Sequence, residues 1–147
     1  MSRKTVVVLA AIPASLAAVA CLLMLAGFMY IRSGTDVAEE TGSPDGAYTA
    51  MVMVRNGGAT TDYSTQISLV SARRFGSRFL ATGRPGNLFI ADGHDGAVPV
   101  NGRGLMDVEL KWESPSDLLI YVPPSARVYK QESKIESITV KYTPQPW

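Results

Sequence analysis

Between Thr5 and Ile31 the chain runs for 27 residues without a charged side chain, and this stretch limits what the protein can be more than any other. A helix rising ~1.5 Å per residue crosses a ~30 Å hydrocarbon core with about 20 residues, so the run is long enough to span with some to spare. Twelve of its residues are Val, Leu, Ile or Phe, together favouring insertion by about 4 to 7 kcal/mol at most, with no interior charge opposing it. Pro13 falls in the first helical turns, where a missing amide is tolerated.

Two competing readings use the same residues. Ala18-Val19-Ala20 has the small-x-small form of a signal-peptide cleavage site, and with Cys21 it loosely resembles a bacterial lipobox, whose cysteine is lipidated. Against both, Leu22 to Ile31 stays apolar for ten residues beyond the cysteine, whereas a processed chain normally begins polar. The expectation is therefore an uncleaved anchor. Arg3 and Lys4 precede it, while Arg32 is followed by Asp36, Glu39 and Glu40, a bias that puts the amino end inside. Ala10, Ala14 and Ala18 recur every four residues and would let two such helices pack closely as a homo-oligomer.

These observations predict a cytoplasmic residue 1–4 segment, a transmembrane helix over 5–31, a linker over 32–44 and an extracytoplasmic all-β domain over 45–147. The location is the bacterial cytoplasmic (inner) membrane, with the domain on the periplasmic side. From Ser33 onward there are 11 basic and 13 acidic residues, so nothing global attracts a polyphosphate and nucleic-acid binding is not expected.

Past Pro44, short apolar runs alternate with Gly, Pro, Asn and Asp clusters, and no window sustains a helical apolar stripe. The expected fold is a small antiparallel sandwich or curled meander of roughly six to seven strands. Leu105–Trp112 alternates cleanly, with Met106, Val108, Leu110 and Trp112 inward. Glu136–Tyr142 does the same through Ile138, Val140 and Tyr142. Such one-sided alternation favours antiparallel pairing. Ala47–Val54 carries apolar residues on both faces and reads as a central strand. Gln66–Val70 and Leu88–Ala91 are shorter candidates, and Leu118–Val122 follows Trp112 through Ser114-Pro115-Ser116-Asp117 as a hairpin ended by Pro123-Pro124.

Ser43-Pro44-Asp45-Gly46-Ala47-Tyr48 resembles the SPDG turn that opens a blade of TolB-type β-propellers, with Trp112 to Ile120 a degenerate second copy. A propeller needs at least four blades of ~40 residues, so only a blade-like hairpin is implied. With the run Arg55 to Leu69, the turn also resembles a family of small bacterial membrane-anchored or lipoprotein-like domains of unknown function. That family carries an SPDG turn, a CGATT-like loop, a Ser/Thr-Gln step and later a tryptophan strand. Gly57 stands where the resemblance implies cysteine, so any thiol chemistry of that position is absent.

The candidate binding loop is Asn56, Gly57, Gly58, Thr60, Thr61, Asp62, Tyr63 and Ser64, where paired glycines allow close approach and the side chains offer donors and acceptors. The simpler reading is that these groups satisfy their own loop. Arg73, Arg74, Arg78 and Arg84, with Phe75 and Phe79, would suit anionic lipid headgroups, although such loops are commonly just solvated. Asp92-Gly93-His94-Asp95-Gly96 invites a metal reading but lacks calcium-loop spacing and reads as a turn. One histidine, a lone Cys21, no G-x-S-x-G elbow and no phosphate loop give neither catalytic residues nor a cofactor. The expected role is a non-enzymatic protein-interaction module of the envelope, of immunity type in its most specific form, meeting its partner through the Gly57–Ser64 loop or an uncovered sheet edge. The alternatives are a small-ligand or sensory domain and, third, an envelope hydrolase.

Overall fold

The computed structural model describes residues 17–25, 34–57, 63–73 and 76–145, and the chain divides into two units, Met1–Ser33 and Gly34–Trp147. In the first unit residues 17–25 are helical (α1), with Ala18, Val19, Cys21, Leu22 and Leu23 exposed. No helix among the described residues is long and apolar enough to cross a membrane. The remainder of the 5–31 span, with Ala10 and Ala14, lies outside the described residues.

The second unit is β-rich, with nine strands among the described residues. They are β1 (Thr35–Gly42), β2 (Tyr48–Asn56), β3 (Tyr63–Ser71), β4 (Phe89–Asp92), β5 (Glu109–Ser114), β6 (Asp117–Val122), β7 (Arg127–Gln131), β8 (Lys134–Ile135) and β9 (Ile138–Pro144), with one short helix, α2 (Ser77–Thr82). One sheet has the order β1-β2-β3-β4-β7 and the other β5-β6-β9-β8. Ala50, Val52, Ile67, Leu69, Phe89 and Ala91 of the first sheet share a buried cluster with Leu110, Leu118, Ile120, Ile138 and Val140 of the second. That shared face makes a sandwich.

The alternation at Met106–Leu110 and Ile138–Val140 points into this core as expected. β2 is central, and its second face is buried as well, through Met51 and Met53. The β3-to-β4 crossover passes over that face. Gly86 donates its N–H to Gln66 Oε1 at 2.8 Å, and Asn87 donates its N–H to Ser68 Oγ at 3.3 Å.

Three expectations need correction: the tether, the uniformly antiparallel pairing and the count of six to seven strands. The residues assigned to a tether are mostly β1, which pairs antiparallel with β2; their polarity is that of an edge strand facing water, which composition alone cannot tell from a linker. The SPDG segment is the turn of that hairpin: Gly46 has φ 67 and donates its N–H to Ser43 O at 2.9 Å. Pairing is also not uniformly antiparallel, because β9 runs parallel to β6. After Pro123-Pro124 the chain leaves the second sheet, adds β7 to the first and returns through β8. It therefore re-enters beside β6 in the same direction. β7 and β8 were not foreseen, since Arg127–Gln131 is half exposed and carries no clean alternation.

Candidate functional site

β2 ends at Asn56 and β3 begins at Tyr63, at one end of the first sheet. Gly58, Thr60, Thr61 and Asp62 lie outside the described residues. Gly57 is exposed, and Asn56 donates its N–H to Gly34 O at 3.0 Å. Ser64 is engaged locally: its hydroxyl accepts from Gln66 Nε2 at 2.9 Å. Tyr63 is 46% exposed, yet one side of its ring lies on Gly104. A Cβ built there would stand 2.3 Å from Tyr63 Cγ, and Gly104 has φ +79. Only glycine meets both conditions.

The loop that presents Gly104 is shaped by Asn101, whose Oδ1 accepts the N–H groups of Arg103 and Leu105 at 2.9 and 3.1 Å. It is then fastened to β3, since Met106 donates its N–H to the buried Thr65 Oγ1 at 3.0 Å. Thr65 and Gln66, the Thr-Gln step of the sequence, thus hold the segments leading into β5 and β4 respectively. Nothing in their spacing could have assigned those partners.

Beside Tyr63, the Asp92–Gly96 run is a turn, as its composition predicts. Ala97 N–H bonds to His94 O and Val98 N–H to Gly93 O, both at 3.0 Å, while His94 and Asp95 adopt φ 49 and 54. Asp92 is buried and accepts from Arg127 Nη2 at 2.7 Å, Arg127 Nε, the Tyr129 hydroxyl and His94 N–H at 2.8 Å. Burial disfavours its charge. The donors outweigh that, Arg127 foremost, then Tyr129 and His94, and hold the carboxyl at about 2. The hydrogen bonds it donates to Asp92 raise Arg127 above its ordinary value, and Arg127 reaches Asp95 at 3.1 Å and lies 5.8 Å from the Tyr129 ring centroid. The staple fixes the turn to β7. It was missed in sequence because Arg127 lies far along the chain from Asp92.

His94 Nδ1 is 3.2 Å from Ser125 O, and among the described residues no group of three or more His, Cys, Asp or Glu is arranged to hold a metal ion. What this end presents is apolar. A groove of about 170 Å³ runs between Tyr63, Gly93, Gly96, Val98 and Val100. A second, of about 260 Å³, shares Val98 and is walled by Pro99, Pro123 and Pro124. Val100 is 48% exposed at the rim.

Three of the four arginines are among the described residues, around the end of β3 and α2. Arg78 pairs with Glu40 of β1. Arg73 lies near Asp45, whose carboxyl is lowered first by the Ser43 hydroxyl and Ala47 N–H and only weakly by that arginine. Arg84 lines a separate cleft at the far end of β3, and Arg74 lies outside the described residues.

A model for a family of unknown function (DUF5412) matches residues 2–78, from the uncharged run through β3 into α2. No curated protein and no solved structure shows a significant match to the chain.

Proposed function

We propose, from the premise that the chain belongs to the family of unknown function (DUF5412), that it is a single-pass bacterial cytoplasmic-membrane protein whose extracytoplasmic β domain binds another envelope protein and catalyses nothing. The uncharged run from Thr5 to Ile31 supports the anchor. With β1 starting at Thr35, the connection to such an anchor shortens to residues 32–34.

The contact role rests on one observation: the half-exposed Tyr63, braced on Gly104, lines a shallow apolar groove with exposed Val100, and that groove shares Val98 with a second. A rigid aromatic on a fixed backbone, next to pockets a partner side chain can fill, is how interface anchors are built. The sheet edges support this site over strand addition. β1, β5 and β7 each border a register irregularity and β8 has two residues; bulges and short edges oppose the pairing of an incoming strand.

The test is a photo-crosslinking residue placed at Val100 in the full chain in cells, with Lys141 on the second sheet as the comparison position. One protein captured at Val100 and not at Lys141, and lost on Tyr63→Ala, is the expected result. Equal capture at both positions, or none, overturns the reading. A reporter fused after Trp147 is expected to read as external, and a cytoplasmic reading removes the proposed orientation.

A further inference from the structure

β3 outruns its neighbour. β4 pairs with it only across Ser64–Ile67, so Ser68–Ser71 have no strand beside them on that side. Side chains take over the backbone groups instead. Asn87 accepts Leu69 N–H at 2.8 Å through Oδ1 and donates to Leu69 O at 2.8 Å through Nδ2, and Ser77 Oγ donates to Ser71 O at 2.8 Å. An amide is smaller than a strand, and the space left over is a cleft of about 250 Å³.

Two opposite charges line it. Arg84 comes from the connection between α2 and β4, and Glu136 from the turn between β8 and β9. Neither takes part in any of the ion pairs among the described residues. Glu136 lies in the two-residue turn between β8 and β9, whose hairpin geometry calls for its φ of 52, and its Oε2 accepts from the Tyr48 hydroxyl at 2.9 Å.

We infer that this cleft binds a small zwitterion, an ammonium and a carboxylate joined by a short peptide-like backbone, with the carboxylate on Arg84 and the ammonium on Glu136. Two charges that line one cleft without neutralising each other complement a ligand carrying the same two charges. The serine hydroxyls of the walls suit its amide. The volume falls below the ~300–1,000 Å³ usual for drug-sized and cofactor sites, which limits the ligand to the size of an amino acid or dipeptide. This site is at the opposite end of β3 from Tyr63 and does not depend on the protein-contact reading.

The experiment is an NMR titration of the full chain with glycylglycine, set against acetylglycine, which keeps only the carboxylate, and glycinamide, which keeps only the ammonium. Saturable shifts at the amides of Ser71, Leu80 and Asn87 are expected. Affinity should fall at least about tenfold for each single-charge analogue, and equally in Arg84→Gln and Glu136→Gln, since a charge-assisted hydrogen bond is lost in each case. Glycine binding tighter than glycylglycine supports the same site with a free amino acid as its occupant. Absence of saturation, shifts confined to other residues, or unchanged affinity in both variants overturns the inference. The Val100 crosslinking result stands or falls separately.

Discussion

At Tyr63, β3 starts against a glycine backbone that a single added carbon would displace, whereas at Ser71 it finishes beside open space bridged by an asparagine amide and a serine hydroxyl. The first end is braced and presents apolar grooves; the second is a cleft lined by polar groups and two charges. One strand therefore carries two surfaces of different chemistry, because its two ends are closed by different connections: the loops around Val98 and Gly104 at one, and the crossover through α2 at the other. A braced aromatic over apolar grooves suits a macromolecular contact, in which rigidity limits the entropy lost on binding. A charged polar cleft suits a small polar ligand.

The contrast is broken most severely by Gly104→Ala. The positive φ of +79 costs an L-residue about 1–2 kcal/mol, and a Cβ 2.3 Å from the Tyr63 ring adds an overpacking cost of about 1–3 kcal/mol. A loss of about 2–5 kcal/mol in urea denaturation is expected. Gly46→Ala, at φ +67 with nothing within 4 Å of the new carbon, should show the backbone cost alone. Equal losses at the two sites would mean that the Tyr63 ring yields freely and is no rigid anchor.

Next comes the staple beneath that end. Asp92→Ala removes the acceptor shared by Arg127, Tyr129 and the His94 N–H, and about 2 kcal/mol of stability should go with it. Asp92→Asn tests the charge. The folded carboxyl lies at about 2, below its ordinary 3.8, so its contribution is complete above the unfolded value and disappears as the pH falls from about 4 to about 2. Asp45 and Asp117, lowered chiefly by the Ser43 and Ser114 hydroxyls, act in the same direction. The acid limb of the stability curve should become shallower in the variant by up to about one proton. An unchanged limb would show that the other carboxylates carry it.

The central strand, the two alternating strands and the β5–β6 hairpin were legible because each is local: a period of two, or a turn of Ser, Pro and Asp, records itself in neighbouring residues. β1 was not, since an edge strand such as TDVAEETG has a tether's composition. β7 was not either, because its apolar residues Val128 and Tyr129 are adjacent and exposed, leaving no alternation. At the candidate site, the Asp92 turn could be read from its own residues, but its partner Arg127, the Gly104 seat of Tyr63 and the cleft that both Arg84 and Glu136 line bring together residues distant in sequence. The parallel placement of β9 is a property of topology, to which side-chain alternation is blind.

At the cleft end the expected effect is smaller. Asn87→Ala removes two neutral hydrogen bonds to Leu69, a loss of about 1–2 kcal/mol moderated by water entering the opening. Asn87→Asp keeps an acceptor for Leu69 N–H and loses the donor to Leu69 O. It should therefore fall between the alanine variant and the parent in denaturation. An alanine variant as stable as the parent would mean that the end of β3 needs no surrogate strand, and the cleft would then be a gap in packing.

The smallest effect is expected at two of the arginines, Arg78 and Arg84. Arg78 is ion-paired to Glu40 but 66% exposed, so Arg78→Gln should cost less than about 1 kcal/mol and the difference should shrink in high salt. Arg84→Gln removes no ion pair and is expected to leave the melting temperature unchanged. The two substitutions can be compared in thermal melts at low and high salt. A salt-sensitive loss at Arg78 with none at Arg84 distinguishes a guanidinium used to hold β1 against α2 from one left available to the cleft. A loss of the same size at Arg84 would indicate that it holds the crossover in place, and its charge would no longer be available to a ligand.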